Sequence, residues 1–137
     1  MPAPFSIRRR VEFHDTDMAG IMHFTGFFRF MEAAEHAFLR QHGLNIFLSD
    51  EQGEISWPRV SASCDFRAPA RFSDEVVVQV ELERLGEKSA TFRFLLSCDG
   101  KRLGEGHMTS VCCRIKSDAP PEAIAIPEAI RAKLVSA

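Results

Sequence analysis

The chain begins with alternating apolar and polar residues and then changes to a helical period. From Phe5 to Phe13 the alternation predicts a β-strand. Between Thr25 and Leu44 apolar residues recur every three or four positions, which predicts one long helix. The residues on this spacing are Phe24, Phe27, Phe28, Met31, Ala34 and Phe38. Because further apolar residues widen the stripe, we expect a helix covered on most sides and closed by a left-handed Gly43.

The remainder of the chain predicts antiparallel β-structure. Candidate strands lie at 55–66, 76–83, 90–96 and 103–115, with a polar loop at 49–54 and a short terminal helix at 128–135. Asp99-Gly100 is the strongest hairpin signal in the chain. A helix that is apolar nearly all round requires a sheet that curls around it. We therefore predict an α+β fold, a single domain over residues 1–137 with a curved antiparallel sheet of about five strands around one central helix.

The composition is that of a globular protein without a polyanionic partner. The 137 residues can bury a core without metal or disulfide bonds, and 17 basic against 19 acidic side chains give a net charge of -2. The basic run Arg8-Arg9-Arg10 lies within the first alternating segment, which predicts a solvated strand face rather than a nucleic-acid patch. The sequence shows neither a secretory leader nor a membrane-spanning stretch, so we expect a cytoplasmic protein that binds no membrane.

The four cysteines favour buried, reduced thiols. They stand at positions 64, 98, 112 and 113 and form no Cys-x-x-Cys spacing. The alternative is a thiol nucleophile, which is disfavoured because no local histidine or acid would activate any of the four.

Candidate chemistry lies where the first strand gives way to the helix. The segment Asp15-Thr16-Asp17-Met18-Ala19-Gly20 breaks the chain just before the helix starts. A helix N-terminus offers unpaired backbone N–H groups and a partial positive charge, which stabilise an oxyanion developing on an attacked carbonyl. A carboxylate beside such donors favours acyl chemistry, and a turn-capping role is the alternative for Asp17. The histidines and acids near this segment lack the spacing of a metal site, so we predict no metal.

The same segment carries a family resemblance. Residues 11–22 (VEFHDTDMAGIM) and 29–34 (RFMEAA) resemble the opening of the hotdog-fold acyl-CoA thioesterases, in particular the 4-hydroxybenzoyl-CoA thioesterase-like family. The likeness continues through Pro69-Ala70 with Asp74 and through residues 86–89 (GEKS). It implies a hotdog fold, hydrolysis of an acyl-CoA thioester, and a homodimer with active sites at the subunit interface, often paired into a homotetramer. Coenzyme A is then part of the substrate, and no further cofactor is implied.

The resemblance also assigns site residues. Asp17 matches the family's catalytic carboxylate, which acts as nucleophile or as general base. Phe24 matches the residue whose backbone N–H polarises the thioester carbonyl. Lys88 and Ser89 match positions that contact the CoA nucleotide, and a lysine ammonium suits a phosphate group.

Several positions depart from the family pattern. Relatives carry Tyr or His at the positions of His23 and Phe24 and Asn-Tyr at those of Gly26 and Phe27, whereas this chain contains no tyrosine. A mechanism that uses a phenol is excluded, and His23 becomes a catalytic candidate, with a locally bonded histidine as its alternative. Gly26 in the first helical turn costs up to ~1 kcal/mol against Ala, which suggests a close approach there, for instance by the thioester.

Polar residues farther along the chain are secondary candidates. Glu32 and His36 share a helix face, where they either pair with each other or leave Glu32 to orient water near the site. Arg59, on the strand that follows Trp57, either meets a substrate carboxylate in the pocket or is solvated. The sequence leaves the acyl group open between an aryl and a short-to-medium chain.

Two other functions fit the same fold. A non-catalytic acyl-CoA-binding protein would agree with the replacement of the usual residues at 23–27. An enoyl-CoA hydratase or dehydratase is disfavoured, because Asp17 and His23 are six residues apart rather than the usual five and the accompanying proline is absent.

Overall fold

The computed structural model describes residues 4–136, which form two sheets and two helices around one core. The helices are α1 (Phe24–Gln41) and α2 (Glu128–Val135). The strands are β1 (Phe5–Arg10), β2 (Phe47–Asp50), β3 (Gly53–Ser56), β4 (Arg59–Phe66), β5 (Glu75–Leu85), β6 (Ser89–Cys98), β7 (Lys101–Val111), β8 (Cys113–Arg114) and β9 (Glu122–Ala123). A 3-10 turn, Phe13–Asp15, lies between β1 and α1.

The larger sheet confirms the predicted fold class. Its five antiparallel strands follow the order β1-β5-β6-β7-β4, and α1 packs against one face. The predicted hairpin joins β6 to β7 at Asp99 and Gly100, whose φ angles of 49° and 80° suit a tight two-residue turn. Because β1 and β4 are the two outermost strands, each leaves one edge unpaired in the described part of the chain.

The core lies between α1 and the inner face of this sheet. Its members include Val76, Val78, Val80, Phe92, Phe94 and Leu96 from the strands and Phe30, Ala34 and Phe38 from the helix. Gly104 and Gly106 of β7 let the helix approach closely. A Cβ at Gly106 would lie 2.5 Å from Met31 Sδ and 2.9 Å from the carbonyl oxygen of Ser63. Gly104 and Gly106 thus leave the space that the Phe27 and Met31 side chains of α1 occupy against β7.

The helix closes as predicted but three residues early. It ends at Gln41 rather than Leu44, and Gly43 takes the expected left-handed conformation with φ of 73°. The Leu44 N–H then donates to the Leu39 carbonyl at 2.8 Å, which turns the chain out of the helix. Among residues 4–136, no helix is both long and apolar enough to cross a membrane.

The strands β5 and β6 extend slightly beyond their predicted bounds, whereas other predicted strands end early or divide. The first strand ends at Arg10 instead of Phe13, because the Val11 N–H donates to the Asp74 carbonyl at 2.8 Å and the chain then enters the 3-10 turn. The strand predicted over 55–66 is two strands, β3 and β4, in different sheets. Pro58 separates them since it has no N–H to donate to a ladder.

A smaller sheet was not predicted from the sequence. It has the strand order β2-β3-β8-β9, and the β2–β3 hairpin occupies the segment that reads as a polar loop. The strand predicted over 103–115 divides in the same way, with β7 in the larger sheet and β8 in the smaller. Arg114 of β8 holds Asp50 of β2 with two hydrogen bonds of 2.6 and 3.1 Å. The terminal helix α2 forms at the predicted residues and buries Ile130 and Leu134.

We expect Gly106→Ala to lower the free energy of unfolding by about 1–3 kcal/mol, because the added Cβ pushes Met31 and β4 away from β7. Urea unfolding followed by circular dichroism measures the change. Lys101→Ala, at the exposed start of the same strand, is the control and should stay within about 0.5 kcal/mol of the wild type. Equal stability of Gly106→Ala and the wild type would contradict the close packing of α1 on β7.

Candidate active site at the start of the long helix

The loop ahead of α1 folds back on itself as a short antiparallel pair. Thr16 bridges Met22, the Asp17 N–H donates to the Ile21 carbonyl at 2.8 Å, and the His23 N–H donates to the Asp15 carbonyl at 2.8 Å. Met22 is buried against the core. The bonds place Asp17 opposite Ile21 and His23 opposite Asp15, so Asp17 and His23 lie two residue pairs apart on the two arms of the loop.

The two carboxylate oxygens of Asp17 have different surroundings. Oδ1 accepts the Ala19 N–H at 2.8 Å, which is the turn-capping role that the sequence offered as the alternative. Oδ2 has no hydrogen-bond partner within residues 4–136, and the side chain is half-buried. One oxygen therefore fixes the carboxylate while the other stays available for chemistry.

Phe24 is the first residue of α1, so its N–H has no carbonyl to bond within the helix. His23 caps the helix: its Nδ1 accepts the Thr25 N–H at 3.3 Å, and its carbonyl accepts the Gly26 N–H at 2.8 Å. No acceptor from the described residues bonds the Phe24 N–H. The amide that the family resemblance singles out is thus an open donor at the helix start.

The Asp15 side chain anchors the loop that carries Asp17. Its carboxylate is 4% exposed, accepts the Glu12 N–H at 2.9 Å through Oδ2 and accepts Arg29 Nη2 at 3.1 Å through Oδ1. Burial opposes ionisation of this carboxyl, but the hydrogen bonds from Glu12 and Arg29 outweigh it and hold the pKa of Asp15 below its usual range. Asp15 is therefore a structural carboxylate, which its hydrogen bonds hold ionised.

Two exposed phenylalanine rings, Phe24 and Phe66, form an aromatic wall beside the helix start. The Phe24 side chain is 57% exposed and lies edge-on to Phe66 at the end of β4, with ring centroids 6.5 Å apart. Phe66 is 49% exposed and also contacts Phe27 edge-on at 4.9 Å. Sequence reasoning missed Phe66, because the 41 residues between it and Phe24 contain nothing that predicts this contact. The wall offers an apolar, aromatic surface to an acyl group.

The close approach expected at Gly26 is made by the protein itself. A Cβ at this position would lie 2.7 Å from Met22 Cγ and 2.9 Å from Met22 Sδ. Packing of the loop against the first helical turn thus accounts for the glycine, and the thioester is not required to explain it. The assignment of Gly26 to the site stays a prediction.

The expected pair between Glu32 and His36 does not form. Glu32 instead accepts Arg59 Nη2 at 3.0 Å, and the His36 ring lies 3.8 Å from Glu35. Arg59 also donates to both oxygens of the buried Glu35, at 3.0 and 3.1 Å. Sequence reasoning did not find Glu35 as a partner of Arg59, since the link from α1 to β4 spans 24 residues.

Arg59 is thus committed to two carboxylates in this chain and is not solvated. Burial disfavours its charge, but the hydrogen bonds and charges of Glu35 and Glu32 more than compensate and raise the pKa of Arg59. Contact of Arg59 with a substrate carboxylate stays a prediction. Any such contact would compete with these two acids.

Lys88 and Ser89 lie at the other end of the sheet. Lys88 is the last residue of the turn between β5 and β6, and Ser89 is the first residue of β6. The loop of Asp17 instead bonds to residues 70–74, just before β5 begins. The 11 residues of β5 between these ends span about 35 Å. A single chain therefore brings together Asp17, His23 and Phe24 but leaves the predicted CoA-binding pair remote from them.

The thiols of the chain are poor nucleophiles. Burial raises the pKa of Cys64 to about 11 and that of Cys112 to about 11, so neither forms a thiolate readily near neutral pH. Among the residues that the structure describes, no three histidine, cysteine or acidic side chains converge as metal ligands. The reactive role of the Asp17 carboxylate stays a prediction.

Known proteins match the chain over most of its length. A family model described as the thioesterase-like superfamily matches residues 11–134. A 1,4-dihydroxy-2-naphthoyl-CoA hydrolase of Prochlorococcus marinus is 35% identical over 100 residues, which cover 68% of this chain and 66% of that protein. The aligned segment is thus about two thirds of either protein.

Solved structures extend the match to nearly the whole fold. A gentisyl-coenzyme A thioesterase is 26% identical with a TM-score of 0.80 and covers 95% of this chain and 99% of its own. A 1,4-dihydroxy-2-naphthoyl-CoA thioesterase from Synechocystis, 22% identical, shows the same fold with a TM-score of 0.83 over 97% of this chain and 96% of its own. The chain therefore belongs to the thioesterase-like superfamily and is a hotdog-fold CoA thioester hydrolase, as its opening segment indicated.

Proposed function

We propose that this thioesterase hydrolyses the CoA thioester of a hydroxylated aromatic acid, with Asp17 as its reactive carboxylate. The observation that carries the proposal is an unpartnered Asp17 oxygen in the loop that leads directly into the open N–H of Phe24 at the start of α1. The exposed rings of Phe24 and Phe66 supply an aromatic surface next to them. The names of two relatives, a dihydroxynaphthoyl-CoA hydrolase and a gentisyl-CoA thioesterase, support the aromatic acyl class over an aliphatic chain.

In the proposed reaction the thioester carbonyl oxygen accepts the Phe24 N–H, which polarises the carbonyl carbon. Asp17 either attacks that carbon directly or removes a proton from the water that attacks it. The oxyanion that forms is stabilised by the N–H and by the partial positive charge at the helix start. Collapse of the intermediate breaks the C–S bond and releases CoA as the thiolate. When water is the nucleophile, this step leaves the free acid. When Asp17 is the nucleophile, it leaves a mixed anhydride with Asp17, which water then hydrolyses to the free acid and the regenerated carboxylate.

We further propose that the site is completed by a second copy of the chain. The outer edge of β4 is unpaired in the described residues, and Val60 on this strand is 62% exposed. Antiparallel pairing of two β4 edges about a two-fold axis would bury this strand and place Arg59 of the second copy near Phe66 of the first. A homodimer, or a homotetramer of such dimers, follows from this geometry.

The same pairing would bring the predicted CoA-binding residues of one copy close to Asp17 of the other. Arg59 is opposite Ser110, and Ser110 is opposite Ala90, so the Lys88–Ser89 turn lies two strands from Arg59 at the same end of the sheet. Two strand spacings are about 10 Å. The second copy would therefore carry its Lys88 to the sheet end where the first copy holds Asp17, which suits a ligand with a long pantetheine arm and a phosphorylated nucleotide.

We expect Asp17→Asn to lower kcat on hydroxylated aromatic acyl-CoA substrates by about 10²–10⁴-fold, because an amide neither attacks nor removes a proton from water. The asparagine oxygen still accepts the Ala19 N–H, so the loop and the fold should survive. Release of free thiol from benzoyl-CoA and 4-hydroxybenzoyl-CoA measures the rate, with exposed Asp118→Asn as control. Full activity of Asp17→Asn would refute the mechanism, and a wild type that retains intact acyl-CoA for hours would instead be a binding protein.

The role of His23 can be separated from its capping function. Asparagine is a good N-cap but lacks the imidazole, so His23→Asn should keep the melting temperature while kcat falls by about 10²–10³-fold if the ring contacts the reacting carbonyl. His23→Ala loses the cap as well and should cost about 1 kcal/mol of stability. Thermal unfolding and thiol release on the same samples test both effects. Wild-type kcat in His23→Asn would leave the histidine with only its capping role.

The β4 edge can be blocked with a charge. Ser63 lies near the middle of this exposed strand, so two copies of Ser63→Lys would oppose like charges across the proposed axis. We expect this variant to sediment as a monomer and to lose thiol-release activity. Ser6→Lys places the same charge on β1, the other edge strand, and should change neither the mass nor the rate. Unchanged mass in Ser63→Lys would show that β4 is not the interface.

A further inference from the structure

The hydrogen bonds around the His23 imidazole select one tautomer of the neutral ring. Its Nδ1 lies 3.3 Å from the backbone nitrogen of Thr25 and 2.8 Å from the Thr25 hydroxyl. A backbone N–H can only donate, so Nδ1 must accept and carries no proton. In the neutral ring the proton is therefore on Nε2.

A second pair of contacts directs the Thr25 hydroxyl. Arg29 Nη1 donates to Thr25 Oγ1 at 3.0 Å, and a guanidinium has no acceptor to offer in return. The hydroxyl oxygen is thereby occupied as an acceptor, and its own hydrogen is left to point at His23 Nδ1. The Thr25 hydroxyl and the Thr25 N–H thus converge on the same ring nitrogen.

The buried carboxylate of Asp15 holds the Arg29 guanidinium from its other side. Arg29 Nη2 donates to Asp15 Oδ1 at 3.1 Å while Nη1 serves Thr25, so the planar guanidinium is held at two points. The Asp15 carbonyl accepts the His23 N–H at 2.8 Å, which ties the residue that carries the ring to the same anchor. Asp15, Arg29, Thr25 and His23 form one connected network.

The Nε2 atom of the His23 ring takes no part in the network. Within residues 4–136, no protein atom bonds Nε2, and no fully buried side-chain nitrogen or oxygen lacks a partner. Nε2 is consequently reachable from outside, at the helix start that also presents the Phe24 N–H. The ring lies tilted over the Phe24 ring, with centroids 4.7 Å apart, which restricts its rotation.

We propose that Thr25 and Arg29 are positioning residues that lock His23 as the Nε2–H tautomer, so that this N–H serves as a second donor to the thioester carbonyl oxygen. The proposal rests on the hydrolytic function proposed above and deepens it. A neutral N–H donor aimed at the developing oxyanion adds to the Phe24 amide without any proton transfer. It also supplies a side-chain donor in a chain that contains no tyrosine.

Nitrogen-15 NMR of the ring tests the locked tautomer directly and independently of activity. We expect His23 of the neutral wild-type protein to show a protonated Nε2 and an unprotonated, hydrogen-bonded Nδ1. Thr25→Val keeps the side-chain shape and the backbone donor but removes the hydroxyl, so the Nδ1 resonance should shift toward that of a weaker acceptor. A protonated Nδ1 in the wild type would overturn the proposal.

Steady-state kinetics tests the positioning role with a matched pair of variants. Thr25→Ser retains the hydroxyl and should stay within about twofold of wild-type kcat, whereas Thr25→Val should lower kcat about ten- to a hundredfold with KM and melting temperature nearly unchanged. Arg29→Lys, which cannot reach Thr25 and Asp15 at once, should show an intermediate loss. Wild-type kcat in Thr25→Val would overturn the proposal.

The two proposals fail in distinguishable ways. A wild type that hydrolyses acyl-CoA through Asp17 but has the opposite His23 tautomer, or is indifferent to Thr25→Val, removes only the positioning role. A wild type with the expected tautomer that releases no thiol from any acyl-CoA removes the hydrolytic function and the donor role with it.

Discussion

Packing of the apolar side of α1 against the inner face of the larger sheet is the interaction on which the candidate site depends. Gly104 and Gly106 remove the side chains that would hold the helix away from the sheet, so Phe27 and Met31 reach the strand backbone. Protein interiors are packed too densely for such a contact to shift freely. The packed middle of α1 therefore supports its first turn, which follows the loop that bonds to residues 70–74.

The site at that end is built from groups that the core has already placed. The Phe24 N–H is open because the first N–H groups of a helix have no carbonyl to bond within the helix, and Phe24 is the first residue of α1. The loop before it is tied to the core by Met22 and to the helix by the Asp15–Arg29 ion pair, so the Asp17 carboxylate is offered from a supported turn. Such support for reacting groups is what catalysis by preorganised donors requires.

Proximity in sequence explains which parts of the site could be predicted. Asp17, His23 and Phe24 lie within eight residues, so a loop followed by a helix start brings them together whatever the rest of the chain does. Phe66 and the Arg59–Glu35 pair could not be predicted, since they join β4 to α1 across long stretches of chain. The Glu32–His36 pair was a wrong expectation for the same reason: Arg59, remote in sequence, binds Glu32 more closely than a neighbour on its own helix does.

The sequence by itself determined the long helix, the β5-β6-β7 meander with its Asp99-Gly100 turn, and a carboxylate held beside a helix N-terminus. These features depend on apolar periodicity and turn chemistry, which act over a few residues. Only the tertiary structure decided that Pro58 divides one predicted strand between two sheets, that Met22 fills the space above Gly26, and that Lys88 lies far from Asp17 in one chain. Such contacts depend on which distant segments pack together, a choice made by burial of the whole core rather than by any local pattern.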